Sequence, residues 1–168
     1  MDKLVEYFEK KEPRYPNQYR ELIEKLSRNK DVSISTGSDE EQLERGKAFG
    51  NFYECYMYAL TIGLKTNRKI PFDRSNGTKF LIINQWKPED IRRYFFMSLL
   101  ALSEDNLEAY ENLKDDDAND KANQLIDLME QYAYGGFDVI SSKMKDDPEY
   151  FSNPLNVVTF LKELEIHS

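Results

Sequence analysis

Acid–base, nucleophilic and metal chemistry draw mainly on histidine, cysteine and clustered carboxylates, and this sequence offers few of them in workable patterns. Its one histidine, His167, is the penultimate residue, a position where chains usually fray. A histidine base, a Cys–His pair or a histidine-rich metal site therefore has nothing to build on. Its one cysteine, Cys55, lies inside an apolar run. A reactive thiolate needs an electropositive, partly open setting, so a buried structural thiol fits this run better. The seven glycines are scattered, and neither G-x-x-x-x-G-K nor G-x-G-x-x-G occurs, which leaves nucleotide binding through those loops unsupported.

Carboxylates offer two candidates. Asp115-Asp116-Asp117 has the composition of a Mg²⁺ or Ca²⁺ site. Consecutive residues on a helix point in different directions, however, and the glycine and terminal glutamate of a calcium loop are missing, so the triplet reads as a solvated helix start. Glu54 sits near the start of a nearly all-apolar helix. Buried alone it would titrate high, as general acids do. It also falls in line with Tyr58, Thr61 and Lys65 at steps of four, three and four, which describes a half-exposed polar seam instead. A carboxylate- or metal-dependent enzyme built from Glu54 and the acidic segment is the reading left for these groups, and no cofactor is implied.

The cations form the one local feature that opposes the overall charge. Lys65, Arg68, Lys69, Arg74 and Lys79 fall within fifteen residues, countered only by Asp73. Arg92 and Arg93 join them if the following helix packs alongside. Such a patch can touch phosphates or dock an acidic partner; charged side chains on a hairpin also simply prevent edge pairing. The net charge of −8 argues against general affinity for nucleic acid or an anionic membrane. The acidic stretch from Glu104 to Asp120 can in turn meet a basic partner.

The elements that must position these residues are mostly helices. Leu4, Val5 and Phe8 share one face of a first helix that Pro13 stops. Tyr19, Leu22, Ile23 and Leu26 define a second, over about Asn17 to Arg28. A polar loop follows from Asn29 to Asp39, with a short extended piece at Val32-Ser33-Ile34. Phe52 to Leu64 is apolar at nearly every position and predicts a central helix buried on most sides, stopped near Asn67. Two short extended runs around Asn76-Gly77 predict a small β-hairpin near residues 69–84. Asn76-Gly77-Thr78 also matches a glycosylation sequon, but reads here as a turn.

Pro88 and the acidic residues Glu89 and Asp90 open a helix to about Leu102 whose second half, apolar from Tyr94, is expected to be buried. A short helix fits Leu107 to Leu113. From about Ala118 to Met144, one face holds Ala122, Leu125, Ile126, Met129, Ala133, Phe137, Ile140 and Met144. Gly135-Gly136 inside it marks a kink or a close approach of another backbone. Pro148 ends that helix, and Pro154 opens a last one with Leu155, Val158, Leu161 and Leu164 inward.

The fold class that follows is mainly α: a compact bundle of six or seven helices with one small β-hairpin. Residues 1–168 read as a single domain, with N-terminal helices and loop over 1–48, a core region over 49–145 and a C-terminal helix over 146–168. No signal-peptide pattern opens the chain and no apolar run reaches membrane-span length, so a cytoplasmic location without membrane contact is expected. Eleven tyrosines, ten phenylalanines and one tryptophan form the core periphery or give amphipathic faces to partners.

Two segments carry a resemblance. FYECYMYALTIGLKTNRKIPF and LMEQYAYGGFDVISSKM resemble the small proteins encoded beside bacterial DNA phosphorothioation genes, the Dnd system-associated group. The matching positions are Ala59, Gly63, Leu64, Lys65, Arg68, Pro71 and Phe72, then Tyr132, Ala133, Gly135 and Gly136, over about residues 49–145. The resemblance implies bacterial defence against foreign DNA as a setting, and it carries over no catalytic residue. The expectation is a non-enzymatic accessory or adaptor protein acting by protein–protein contacts. The alternatives are a DNA-binding module using the 65–79 hairpin and the carboxylate enzyme described above.

Overall fold

In a computed structural model, residues 1–28, 46–103, 105 and 107–166 are described; the expected extended piece at Val32–Ile34, Glu104 and His167 lie outside them. Among the described residues there are six α-helices and one two-stranded sheet, the mainly α fold that the periodicities predict. The order is α1 (Asp2–Glu9), β1 (Arg14–Pro16), α2 (Arg20–Leu26), α3 (Phe52–Lys65), β2 (Gly77–Lys79), α4 (Glu89–Leu102), α5 (Asp115–Asp146) and α6 (Leu155–Ile166). The short helix expected over 107–113 is a 3₁₀ turn, Leu107–Tyr110.

Helix α5 is the axis of the molecule. Its 32 residues give a rod roughly 48 Å long, with Asp115, Asp116 and Asp117 in its first turn and Lys143 and Lys145 in its last. That placement of charge suits the helix dipole. Gly135 and Gly136 do not interrupt it; they let other backbone in. A Cβ on Gly136 would lie 1.7 Å from the Ala59 carbonyl oxygen of α3, and one on Gly63 of α3 would lie 1.9 Å from the Tyr132 carbonyl oxygen. A Cβ on Gly135 would lie 1.8 Å from the Arg68 carbonyl oxygen in the turn after α3. Asn67, with φ 48°, ends α3 in the left-handed conformation that suits a helix stop.

Aromatic rings fill the space around this crossing. Tyr56 of α3 is buried, 4.8 Å from Phe80, 5.7 Å from Trp86 and 6.0 Å from Phe137 between ring centres. Helix α1 joins through Phe8, packed edge-on at 5.3 Å against Phe96 of α4. Buried residues from Leu4 to Phe160 belong to one cluster.

The small sheet differs from the predicted hairpin. β2 pairs antiparallel with β1, Arg14 opposite Lys79 and Pro16 opposite Gly77, so its strands are some sixty residues apart in sequence. Asn76-Gly77 does not turn the chain between paired strands. Asp73 instead caps a 3₁₀ turn, Arg74–Asn76, by accepting from the Ser75 backbone N–H. Gly77 has φ −126° and is needed for space: a Cβ there would lie 2.4 Å from Phe72 Cζ.

An ionic cluster built on one buried carboxylate fixes this sheet to α5. Glu130 of α5 is 1% exposed. Its Oε1 accepts the Arg14 backbone N–H at 2.8 Å, and Arg74 Nε stands 2.9 Å from its Oε2. Arg74 Nη1 is also 3.4 Å from Asp127. Burial pushes the Glu130 carboxyl above its ordinary range, and the Arg14 N–H and Arg74 hold it down only in part.

Two outcomes follow for stability. Gly136→Ala should lower unfolding free energy by at least about 2 kcal/mol, because backbone-to-backbone overpacking outweighs the roughly 1 kcal/mol gained in helix propensity; chemical denaturation measures it. Glu130→Ala leaves the Arg14 backbone N–H without its acceptor, while Arg74 keeps Asp127, and should cost roughly 2 kcal/mol. A raised carboxyl pKa contributes stability that is present below the unfolded value and lost as pH rises through the folded one. The deficit of Glu130→Gln relative to wild type should therefore be larger near about pH 4 than near about pH 7, read from denaturant midpoints at both.

Candidate functional site

Glu54, Cys55, Tyr58 and Asp115 each have a structural occupation. Glu54 is the third residue of α3 and helps cap it: its backbone N–H donates to Asn51 Oδ1 at 3.0 Å, while its carboxylate reaches one residue past the N-cap to accept from the Gly50 backbone N–H at 2.7 Å. Asn51-x-x-Glu54 was the sequence signal for this. The Cys55 thiol is fully buried, and burial pushes its pKa up to about 12, which keeps it protonated and unreactive at neutral pH. Tyr58, expected in the polar seam, is buried and donates its hydroxyl to the Val157 carbonyl at 2.7 Å, tying α6 to α3; burial raises its pKa. Asp115 pairs with Lys3 at the surface. Among the described residues no group of three His, Cys, Asp or Glu is placed to hold a metal ion.

The seven candidate patch cations are distributed unevenly. Arg68 is paired with Asp138, Arg74 with Glu130 and Asp127, and Lys79 with Glu12 at 3.5 Å. Arg92 is only 7% exposed; it lies 3.6 Å from Glu9 and 3.9 Å from Glu89, and donates to the Asn84 carbonyl. Lys69 and Arg93 are exposed and Lys65 is half-buried. Arg92 and Arg93 line a groove between α1 and α4 that includes none of the other five. Lys65, Arg68 and Lys69 remain together at the carboxyl end of α3, with Arg74 and Lys79 on the adjoining turn and strand.

The feature that sequence reasoning missed is apolar. Ile91, Tyr94, Met97 and Leu102 of α4 are exposed, Tyr94 at 61% and Met97 at 51%, where burial of the helix's second half was expected. On α6, Leu155 and Val158 are 74% and 55% exposed, not inward. The inward face of α6 is Phe160 with Val157, Leu161 and Leu164. A signal existed in α4: from Tyr94 to Leu102 every residue but Ser98 is apolar, more than one core-facing stripe requires. Of the eleven tyrosines only Tyr94 is exposed. Beside it, Thr61, Leu64 and Lys65 of α3 with Ser98 and Leu102 of α4 enclose a groove of about 320 Å³.

No helix among the described residues is long and apolar enough to cross a membrane. Neither a curated protein nor a solved structure matches the chain. The family model of DNA sulphur modification system-associated protein 4 matches residues 14–164. That span takes in both helices of the glycine-mediated crossing, the sheet and the two outward apolar faces, and the chain belongs to this family.

Proposed function

We propose that the protein is a non-enzymatic adaptor of a bacterial DNA sulphur modification system with a role in defence against foreign DNA, working in the cytoplasm through contacts with the system's other proteins. The observation that carries this reading is where the large apolar side chains left in solvent fall. Scattered single ones are ordinary. Here six of the seven among the described residues sit on the outward faces of α4 and α6, and gathered apolar surface is characteristic of protein contact sites. The state of the cations supports the same choice over a DNA-binding module: at least four of the seven candidates are already paired with carboxylates, and each of these would have to give up that partner to neutralise a phosphate.

The test is co-purification of the tagged full chain with the system's other proteins after co-expression, with and without nuclease. Partners should survive nuclease. The double change Leu155→Glu with Val158→Glu should reduce recovery at least about tenfold with an unchanged thermal midpoint, since both residues are exposed. Partners lost on nuclease treatment, or recovery indifferent to charges on both apolar faces, would overturn the adaptor reading.

A further inference from the structure

We propose that Asn76 is a site of spontaneous covalent modification, converted by its neighbour Gly77 and water into aspartate or isoaspartate, and that the capped turn over Arg74–Asn76 holds this conversion back. The sequence has a single Asn-Gly step. Asn76 stands exposed at the end of the turn, directly before β2. The chemistry needs only solvent. Base takes the proton of the Gly77 N–H, and the nitrogen attacks the carbonyl carbon of the Asn76 side chain. The new N–C bond replaces the bond to the side-chain nitrogen, which leaves as ammonia. A water molecule then opens the cyclic imide. Opening at the side-chain carbonyl gives aspartate, and opening at the main-chain carbonyl gives isoaspartate. Glycine favours the attack because no Cβ shields its nitrogen, and here packing requires the glycine: a Cβ at position 77 would lie 2.4 Å from Phe72 Cζ and 3.1 Å from Arg14 Cβ.

Both reacting groups are held in the folded chain. The Gly77 N–H donates to the Arg74 carbonyl, so its proton is not offered to solvent base. Asn76 Nδ2 donates to Asp73 Oδ2 at 3.2 Å. The other oxygen of Asp73 accepts from the Ser75 backbone N–H at 3.0 Å and from Ser75 Oγ at 2.8 Å. Those bonds from Ser75 keep the Asp73 carboxyl below its ordinary range, so it stays ionised at the neutral and alkaline pH where the attack is fastest. Two hydrogen bonds of ordinary net strength thus separate the reactants, enough for about tenfold in rate.

The products act beyond the turn. Isoaspartate adds a methylene to the main chain directly before Gly77, the residue set opposite Pro16 in the sheet. Aspartate keeps the main chain but places a second carboxylate where Asp73 now accepts an amide. Either change loosens the segment that carries Arg74 to Glu130 and pairs with the strand whose Arg14 N–H Glu130 accepts. The modified chain therefore has a weaker hold between the sheet and α5.

The reaction needs no partner and is independent of the adaptor reading, so the purified full chain tests it alone. The chain is incubated at mildly alkaline pH, native and in denaturant, and the peptide spanning Asn76 is followed by chromatography and mass spectrometry. Aspartate and isoaspartate should accumulate at Asn76 ahead of the other asparagines, and about tenfold more slowly in the native chain than in the denatured one. Asp73→Asn leaves an oxygen for Ser75 and removes the acceptor from the Asn76 amide. It should speed native conversion about threefold with an unchanged thermal midpoint. The isoaspartate form, separated from unmodified chain, should unfold at a lower midpoint. Conversion of other asparagines before Asn76 overturns the site. Equal native and denatured rates, or a native rate indifferent to Asp73→Asn, overturn the protective turn, and an unchanged midpoint for the isoaspartate form overturns its effect on the sheet.

Discussion

Direct backbone contact between α3 and α5 is the constraint on which the rest of the structure depends. Where Gly63 meets the Tyr132 carbonyl and Gly136 meets the Ala59 carbonyl, the approach leaves no room for a Cβ on either helix. Gly135 extends the contact to the Arg68 carbonyl in the turn that leaves α3. That turn starts the segment leading to Phe72, the capped 3₁₀ turn and β2. The position of the sheet, and of Arg74 over Glu130, therefore follows from how closely two helices touch. The aromatic cluster around Tyr56 packs beside the crossing and makes it a core rather than a single point of contact.

Electrostatics divide the molecule in a similar way. An excess of acidic residues gives the surface its overall sign, yet the arginines that look most like a phosphate-binding set are bound inward. Arg74, itself partly exposed, pairs with the buried Glu130, and Arg92 bridges α1, α4 and the Asn84 carbonyl. In an acidic chain a buried or half-buried guanidinium finds carboxylates within reach, and its planar fork can satisfy several acceptors at once. A cluster that reads as basic along the sequence thus works in good part as internal cross-linking. Of that cluster Arg68, Lys69, Lys79 and Arg93 reach solvent, Arg68 and Lys79 while paired with carboxylates.

The outward faces of α4 and α6 answer the question of partners from the opposite direction. Helix α4 buries Phe95, Phe96, Leu99 and Leu100, so its core obligation is met by one side, and the apolar residues on the other side keep about a third to three-fifths of their surface in water. Helix α6 repeats this on a smaller scale, with Phe160 inward and Leu155 outward. Tyr94 sharpens the contrast, because ten other tyrosines are at least half-buried and this one stands in solvent.

The sequence by itself determined the helices. Periodicity, Pro88 and Pro154, the acidic first turn of α5 and the stop at Asn67 are local signals, and local hydrogen bonding is enough to act on them. The glycine pair was readable too, as a close approach or a kink, because glycine in a helix interior needs a reason. Tertiary structure alone decided what met what. β2 took β1 as its partner because the α3–α5 crossing carries residues 77–79 to residues 14–16, and no pattern of neighbouring residues encodes that distance. It likewise decided that Arg74 and Arg92 turn inward, and which side of α4 and of α6 faces water. An apolar helix states in its sequence that it can be buried. Only the neighbours that reach it determine how much of it is.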